Sequence, residues 1–417
     1  MNTTLHLFDD GVGRRWEPMA LTRPGGSLLF GTLRMWERGE RALGFPCDSL
    51  LAGEALAGFQ EPGSPPAIRW KDLPSGDRRV LLSSRAVVTA PLPPGWDDGA
   101  GATLEIEGEV VGWVLPAGVP LPGAEALENP ASAAVLGRVL TLPGAELLRH
   151  PWDLIEGNPR RIALDLELGG DLQPVEHLPP GVHVLGEGAL LMGEDVEVEP
   201  GVVLDLREGP IGLEAGVRVR SFTRIQGPSW FGPGCILQGG VFNHVGAGPR
   251  CRLRGEVEAS VIQGWSNKAH DGYLGHAWLG SWVNLGAMTT NSDLKNNYGN
   301  VRLRTTAGVV DTGLMKLGCF LGDHVKTGIG TLLNTGTVIG AGSNVFGGAM
   351  PPTLVPPFSW GVGAELSTHR LESFLETAQR AMGRRAIPLT EEMQEVLSRA
   401  FQDTSPLRMM NPGDSAE

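Results

Sequence analysis

The chain has 417 residues, a net charge of −13 and only four cysteines, with glycine and proline both abundant at 60 and 32. Such a length exceeds one compact core and predicts two domains with appendages. The acidic balance excludes a nucleic-acid partner, which needs a basic face. No apolar run approaches the roughly 18 residues of a membrane helix, and Met1-Asn2-Thr3-Thr4-Leu5-His6 lacks the basic-then-apolar order of a signal peptide. Cys47, Cys235, Cys251 and Cys319 lie far apart without a CxxC pair, so they read as reduced core thiols of a cytoplasmic protein.

Residues 1–175 show no repeat. Leu5-His6-Leu7-Phe8 reads as a short strand and Asp9-Asp10-Gly11-Val12-Gly13 as the turn that follows. A helix is expected from Ser27 to Leu43, with further strands at 80–82, 104–106 and 110–114. Strands mixed with helical patterns predict an α/β layer architecture of Rossmann type.

From about Gly181 the pattern changes. Val184, Leu190, Val196 and Val202 are spaced by six, as are Ile211, Val217 and Thr223, then Phe231 and Leu237, then Val245, Cys251 and Val257. Leu279 and Leu285 follow, and Leu321, Thr327, Leu333, Ile339 and Val345 form the longest series. A helix needs a period near 3.6 and a simple strand near 2. Six fits a short strand plus a tight corner, three of which close a triangular coil. Residues 176–360 are therefore expected to form a left-handed parallel β-helix of hexapeptide repeats, an exception to the right-handed crossover rule. A Gly-rich sandwich is the competing architecture, and chance spacing rarely yields five positions in step.

The repeat breaks between Asn291 and Arg304, where a polar run predicts a loop projecting from one corner. After Pro356-Pro357 two amphipathic helices are expected, Ser367–Met382 and Glu391–Phe401 within 361–402. Leu371, Phe374, Leu375 and Ala378 make the apolar stripe of the first. Residues 403–417 read as a frayed tail.

Titratable groups concentrate inside the repeat, where Lys268, His270 and Tyr273 fall close together. His270 can be neutral at pH 7 and accept a proton, with Asp271 or a backbone carbonyl fixing its tautomer. A structural histidine is the alternative. From Arg250 to Lys326 nine Lys/Arg stand against six Asp/Glu, a cationic segment suited to small phosphorylated ligands. Lys268, Arg302, Arg304, Lys316 and Lys326 could hold phosphates or merely face solvent. Asn284 and Asn291 fall near inward or corner positions and could bond a ligand or form an internal ladder. Tyr273 and Tyr298 are the chain's two tyrosines.

The run Ser266-Asn-Lys-Ala-His-Asp-Gly-Tyr-Leu-Gly-His276, then Leu279-Gly-Ser-Trp-Val-Asn-Leu-Gly-Ala287, then Ser292-Asp-Leu-Lys-Asn-Asn-Tyr298, resembles one known family. It is the bifunctional glucosamine-1-phosphate N-acetyltransferase/N-acetylglucosamine-1-phosphate uridylyltransferase family, in a bacterial variant with a shortened nucleotidyltransferase domain. The resemblance spans roughly 210–355. It implies that His270 deprotonates the sugar amine and that Tyr273, Asn284 and Asn291 contact the sugar phosphate. Ala287 and the coils at 321–345 would line the acetyl-CoA groove, with Lys316 and Lys326 as its cations. Members are homotrimers. A lysine expected about a dozen residues before the histidine is absent from Glu256-Val257-Glu258-Ala259. The phosphate would then fall to Lys268, Arg250 or Arg252.

In the N-terminal domain Asp10-Gly11-Val12-Gly13-Arg14 and Leu21-Thr22-Arg23-Pro24 resemble the triphosphate loop of sugar nucleotidyltransferases. Gly11 and Gly13 would let backbone N–H groups approach phosphates, and Arg14 and Arg23 would neutralise them. An ordinary turn is the alternative, and Gly25-Gly26 replaces the family's lysine. Asp9, Asp10 and Asp153 are the candidate Mg²⁺ ligands. The expected activity is acetyl transfer from acetyl-CoA to an amino-sugar phosphate, with nucleotidyl transfer from an NTP to a sugar 1-phosphate. The rivals are a nucleotidyltransferase whose β-helix only trimerises or regulates, and a non-catalytic trimeric scaffold.

Overall fold

A computed structural model of the chain describes residues 3–133, 136–175 and 177–409. It divides into two compact units. The first comprises Met1–Leu28, Leu33–Pro151 and Thr390–Ala400, and the second Leu29–Thr32, Trp152–Leu389 and Phe401–Glu417. No helix among the described residues is long and apolar enough to cross a membrane. All four cysteines are free thiols in buried positions.

The first unit is built on a mixed seven-stranded sheet. Its spatial order is Arg138–Thr141, Ala102–Ile106, Glu109–Leu115, Arg78–Ser83, Thr3–Phe8, Cys47–Ala52, Ala67–Arg69. Thr3–Phe8 is an interior strand and pairs in parallel with both neighbours, as a strand buried on both faces does. Glu109–Leu115 runs antiparallel to its two neighbours. Phe8 stacks on Trp113 with ring centroids 5.4 Å apart, within the apolar cluster that backs the sheet. The helix expected from Ser27 begins only at Met35 and ends at Leu43. Gly25–Ser27 is a single 3₁₀ turn, and Leu33–Arg34 is a two-residue strand ahead of the helix. The Glu37 carboxylate then accepts the Arg34 N–H and starts the helix. Residues 390–400, from the helix Glu391–Asp403, belong to this unit, where Arg399 Nε donates to the Ala55 carbonyl.

The second unit is a parallel β-helix. One of its faces is a ten-stranded sheet running from Gln173–Pro174 to Leu354–Val355, and in it Ile262, Leu279, Leu321, Ile339 and Val355 occupy successive rungs. The hexapeptide positions from Leu190 and Val202 through Val345 are buried, apart from Val196. Val184 and Val196 depart from the expectation, the first being 42% exposed and the second half-buried. Val184 pairs in register with the buried Leu204, but its strand is the edge of its sheet, so no earlier rung covers it.

The insertion expected at 291–304 is longer. It leaves Thr290–Asn291 and returns at Phe320–Leu321, and carries an antiparallel hairpin of Arg302–Thr305 with Gly308–Asp311. The hairpin satisfies its own backbone groups, which lets it project from the coil. The first C-terminal helix starts at Leu371 instead of Ser367, because Glu365–Thr368 adds an antiparallel strand to Ser359–Val362. Phe374 of that helix packs edge-on against Phe358 and His324. The tail expected from 403 holds the short helix Ser405–Met409, with the Arg408 guanidinium 4.3 Å from the Phe401 ring centroid. Residues 410–417 of that tail lie outside the described residues.

Leu279→Ala should lower the unfolding free energy of the β-helix by about 2–5 kcal/mol, whereas Val184→Ala should cost under about 1 kcal/mol. Urea denaturation of both variants checks this; equal losses would reject the inward row as the source of stability.

Candidate active site

Lys268 organises the corner that bears His270. Its Cα pairs with Leu253, a core position of the preceding coil, so the side chain starts from the inward row. It is 2% exposed. Because a buried ammonium needs acceptors, Nζ reaches back to the carbonyls of Arg254 (2.9 Å) and His270 (2.7 Å). Burial lowers its pKa to about 8. The expectation of a phosphate-holding Lys268 is thereby corrected: the ammonium faces the protein and holds the His270 backbone.

His270 itself is exposed, at the corner between strands Asn267–Lys268 and Tyr273–Gly275. Among the described residues no group is bonded to its ring. Asp271 does not orient the imidazole, since its carboxylate accepts Arg254 Nε at 3.0 Å. Gly272 closes the turn at φ 128°, where a Cβ would lie 2.3 Å from the Thr289 carbonyl oxygen. Only glycine fits there.

On the next strand the Tyr273 ring lies across Gly275, whose missing Cβ would sit 2.1 Å from the phenol oxygen. Tyr273 Oη donates to Asp293 Oδ2 at 2.8 Å, and Glu258 Oε2 is 3.2 Å away. His276 Nδ1 is 2.7 Å from the same Asp293 oxygen, which sets an Nδ1–H tautomer. Burial, and then the Asp293 carboxylate, push the Tyr273 phenol up. Burial also raises Asp293, but the His276 and Tyr273 hydrogen bonds outweigh it and hold that carboxyl low. Two carboxylates flank this phenol, and its hydroxyl is engaged by Asp293, where the resemblance would have it contact a sugar phosphate. Lys316 is the nearby cation, 3.6 Å from Glu258.

Asn291 is 3% exposed and brackets Gly275, accepting its N–H and donating to its carbonyl, both at 2.9 Å. It is an internal ladder and offers no amide to a ligand. Asn284 is exposed, on the face that pairs Asn267, Asn284 and Lys326, and therefore on a different face from Tyr273. Its Oδ1 accepts Asn267 Nδ2 at 3.2 Å. Lys326 repeats the Lys268 device: Nζ donates to the Trp282 and His324 carbonyls at 2.6 and 3.2 Å, and burial lowers its pKa to about 8. Ala287 is half-buried; its carbonyl accepts Gly330 N–H, and its own N–H donates to no group among the described residues. Arg252 is half-buried and Arg250 exposed, at a corner with φ 55°.

The nucleotide-loop expectations of the first unit meet internal partners. Asp10 Oδ1 accepts the N–H groups of Val12 and Gly13 at 3.0 and 2.9 Å, so that loop turns its donors inward. Gly11 packs where a Cβ would lie 2.5 Å from the Glu128 carbonyl oxygen. Arg14 pairs with Glu128 at 2.7 Å, and Arg23, buried, with Glu61 at 3.2 Å. Burial pushes the Asp10 carboxyl up, but Arg85 at 2.8 Å more than offsets it. Asp9 is pushed up by burial against hydrogen bonds from Ser84 and Gly25. Asp153 opens the helix Asp153–Glu156 of the second unit. Among the described residues no group of three or more His, Cys, Asp or Glu could hold a metal ion; of the expected Mg²⁺ ligands, Asp9 and Asp10 belong to the first unit and Asp153 to the second.

Sequence reasoning missed the His276–Asp293 pair, because Asp293 belongs to the insertion and no spacing relates it to His276. It also missed Arg384 and Arg385, which follow the helix Leu371–Gly383. Arg385 Nη2 donates to Asn267 Oδ1 at 2.8 Å.

The buried Lys268 carries a pH signature. A folded pKa of about 8 against 10.5 in the unfolded chain means the charged amine destabilises the fold below about pH 8. That penalty fades as pH rises toward 10.5. Wild-type stability should gain up to about 3 kcal/mol from this residue over that window, and Lys268→Met should lack that gain. Urea midpoints on either side of the window test it; identical pH slopes in the two proteins would refute the assignment.

No family model matches the chain. It is 31% identical over 202 residues to a "Bifunctional sugar-1-phosphate nucleotidylyltransferase/acetyltransferase" of Sulfurisphaera tokodaii, covering 48% of this chain and 44% of that protein. It is 28% identical over 196 residues to "Bifunctional protein GlmU" of Acaryochloris marina, covering 46% and 37%. The chain thus spans less than half the length of these curated relatives. Among solved structures it is similar to an Arabidopsis UDP-N-acetylglucosamine acyltransferase at 14% identity and TM-score 0.27, covering 57% of this chain and 96% of that one. Over its matched half, the chain is a sequence relative of the GlmU-like bifunctional nucleotidylyltransferase/acetyltransferases.

Proposed function

We propose that the β-helical unit transfers acetyl from acetyl-CoA to the amine of an amino-sugar phosphate, with His270 as general base. The observation that carries this reading is an exposed imidazole, without an internal partner, on a turn held from beneath by a buried lysine. In the reaction His270 takes a proton from the amine as its nitrogen attacks the thioester carbonyl. The tetrahedral intermediate collapses and coenzyme A leaves as its thiol once protonated. The Ala287 N–H, with no acceptor in the described chain, is a donor suited to the developing oxyanion. The names of the curated relatives support the same reading. A cytoplasmic homotrimer is part of the proposal.

For the α/β unit we propose nucleotidyl transfer from an NTP to a sugar 1-phosphate, on the strength of its architecture and those names. Such chemistry uses Mg²⁺, which the acids of this unit do not fit as they stand, and no step is assigned to the metal. Arg14 and Arg23 would reach a nucleotide by exchanging their Glu128 and Glu61 partners.

His270→Ala should lower acetyl transfer at least about 100-fold with the fold retained. Release of coenzyme A thiol with glucosamine 1-phosphate as acceptor measures it, and unchanged turnover would eliminate the base. Pyrophosphate release from UTP with N-acetylglucosamine 1-phosphate tests the other unit. It should occur in wild type and persist in His270→Ala. Its absence from both would leave acetyl transfer as the chain's single activity.

A further inference from the structure

Many arginines of the β-helix have carboxylate partners. Arg207 and Arg224 pair with Asp205, Arg218 with Glu197, Arg220 with Glu199 and Arg254 with Asp271. Others do not, and four of those lie close to one another. Among the described residues Arg250, Arg252, Arg384 and Arg385 form no ion pair.

These four are gathered. Arg252, Asn267 and Asn284 occupy successive rungs of one face, about 4.8 Å apart. Arg250 sits at the corner just before Arg252, exposed. Arg385, half-buried, comes onto this face from the end of the helix Leu371–Gly383 and donates to Asn267 Oδ1 at 2.8 Å. Burial first, then the Arg252, Arg384 and Arg250 guanidiniums, lower the Arg385 pKa, so the like charges act on one another. The Arg252 Nε is buried without a hydrogen-bond partner. Like charges held together without counter-ions, and one orphaned donor, are the state of a site whose anion comes from outside the chain.

We infer that Arg250, Arg252, Arg384 and Arg385, with the amides of Asn267 and Asn284, form a binding site for a phosphate monoester. Asn267 precedes His270 by three residues, so their Cα atoms lie within about 10 Å of each other. The inference rests on the acetyl-transfer reading only for which phosphate is bound. A sugar 1-phosphate and the 3′-phosphate of coenzyme A share the required chemistry. Beside Tyr273 the carboxylates of Glu258 and Asp293 stand against Lys316 and His276, whereas this cluster holds arginines alone.

Inorganic phosphate should raise the melting temperature of the full chain in a concentration-dependent manner. Arg252→Gln and Arg385→Gln should each weaken its apparent affinity about tenfold or more. Arg250→Gln, at an exposed corner, provides the same readout should the Arg385 variant fail to fold. His270→Ala should bind phosphate as wild type does, which separates failure of this site from failure of the base. The sources are told apart by ligand pairs. Preference for glucosamine 1-phosphate over glucosamine, lost in Arg252→Gln, marks the acceptor. Preference for coenzyme A over dephospho-coenzyme A, lost in the same variant, marks the donor. A melting temperature indifferent to phosphate, or a phosphate effect undiminished in the arginine variants, would overturn the inference.

Discussion

A single ammonium group beneath the His270 turn is the constraint on which this corner depends. Lys268 stands where the repeat calls for an apolar side chain, and its neighbour in the inward row is Leu253. A charge in that row is tolerable only if it reaches acceptors at once. The two carbonyls it finds belong to successive coils, at Arg254 and His270. The bond therefore ties one corner to the next and fixes the backbone on which the imidazole is carried. Gly272 completes the turn, since no other residue could pass the Thr289 carbonyl. A turn so defined can project its side chain outward without any partner for the ring.

The two faces that meet at this corner carry different ionisable groups. Beyond His270 lie Tyr273, Glu258, Asp293 and His276, a hydrogen-bonded acidic group. Before it lie Asn267 and Asn284 with the arginines around Arg385. This arrangement differs from the expectation in which Tyr273, Asn284 and Asn291 converge on one phosphate. Asn291 is an internal rung, and Tyr273 and Asn284 belong to different faces.

The first unit shows how a turn of the expected composition can have a different purpose. Asp10-Gly11-Val12-Gly13 does form a tight turn at the end of the strand Thr3–Phe8. Its N–H groups, however, point at Asp10, and Arg85 neutralises that carboxylate. Arg23 and Arg34 converge on the buried Glu61. A Gly-x-Gly pattern records backbone freedom and does not record where the donors point; here they point at the Asp10 carboxylate, which Arg85 holds from far along the chain.

Periodicity determined the β-helix, because a solenoid's inward row is a local property that repeats every six residues and needs no long-range information. His270 stands out in the sequence through the titratable residues clustered with it, Lys268 and Tyr273, and through the family resemblance that this run carries. Tertiary structure alone decided which polar groups remain available. Whether Lys268 faces solvent or carbonyls, whether Asn291 meets a ligand or Gly275, and that Arg385 meets Asn267 are matters of which backbone atoms come within hydrogen-bond reach once distant coils stack. A hydrogen bond between coils is directional and depends on which atoms meet when the coils stack, so spacing along the chain does not encode it; burial of apolar surface is non-directional, and a one-dimensional pattern suffices to specify it.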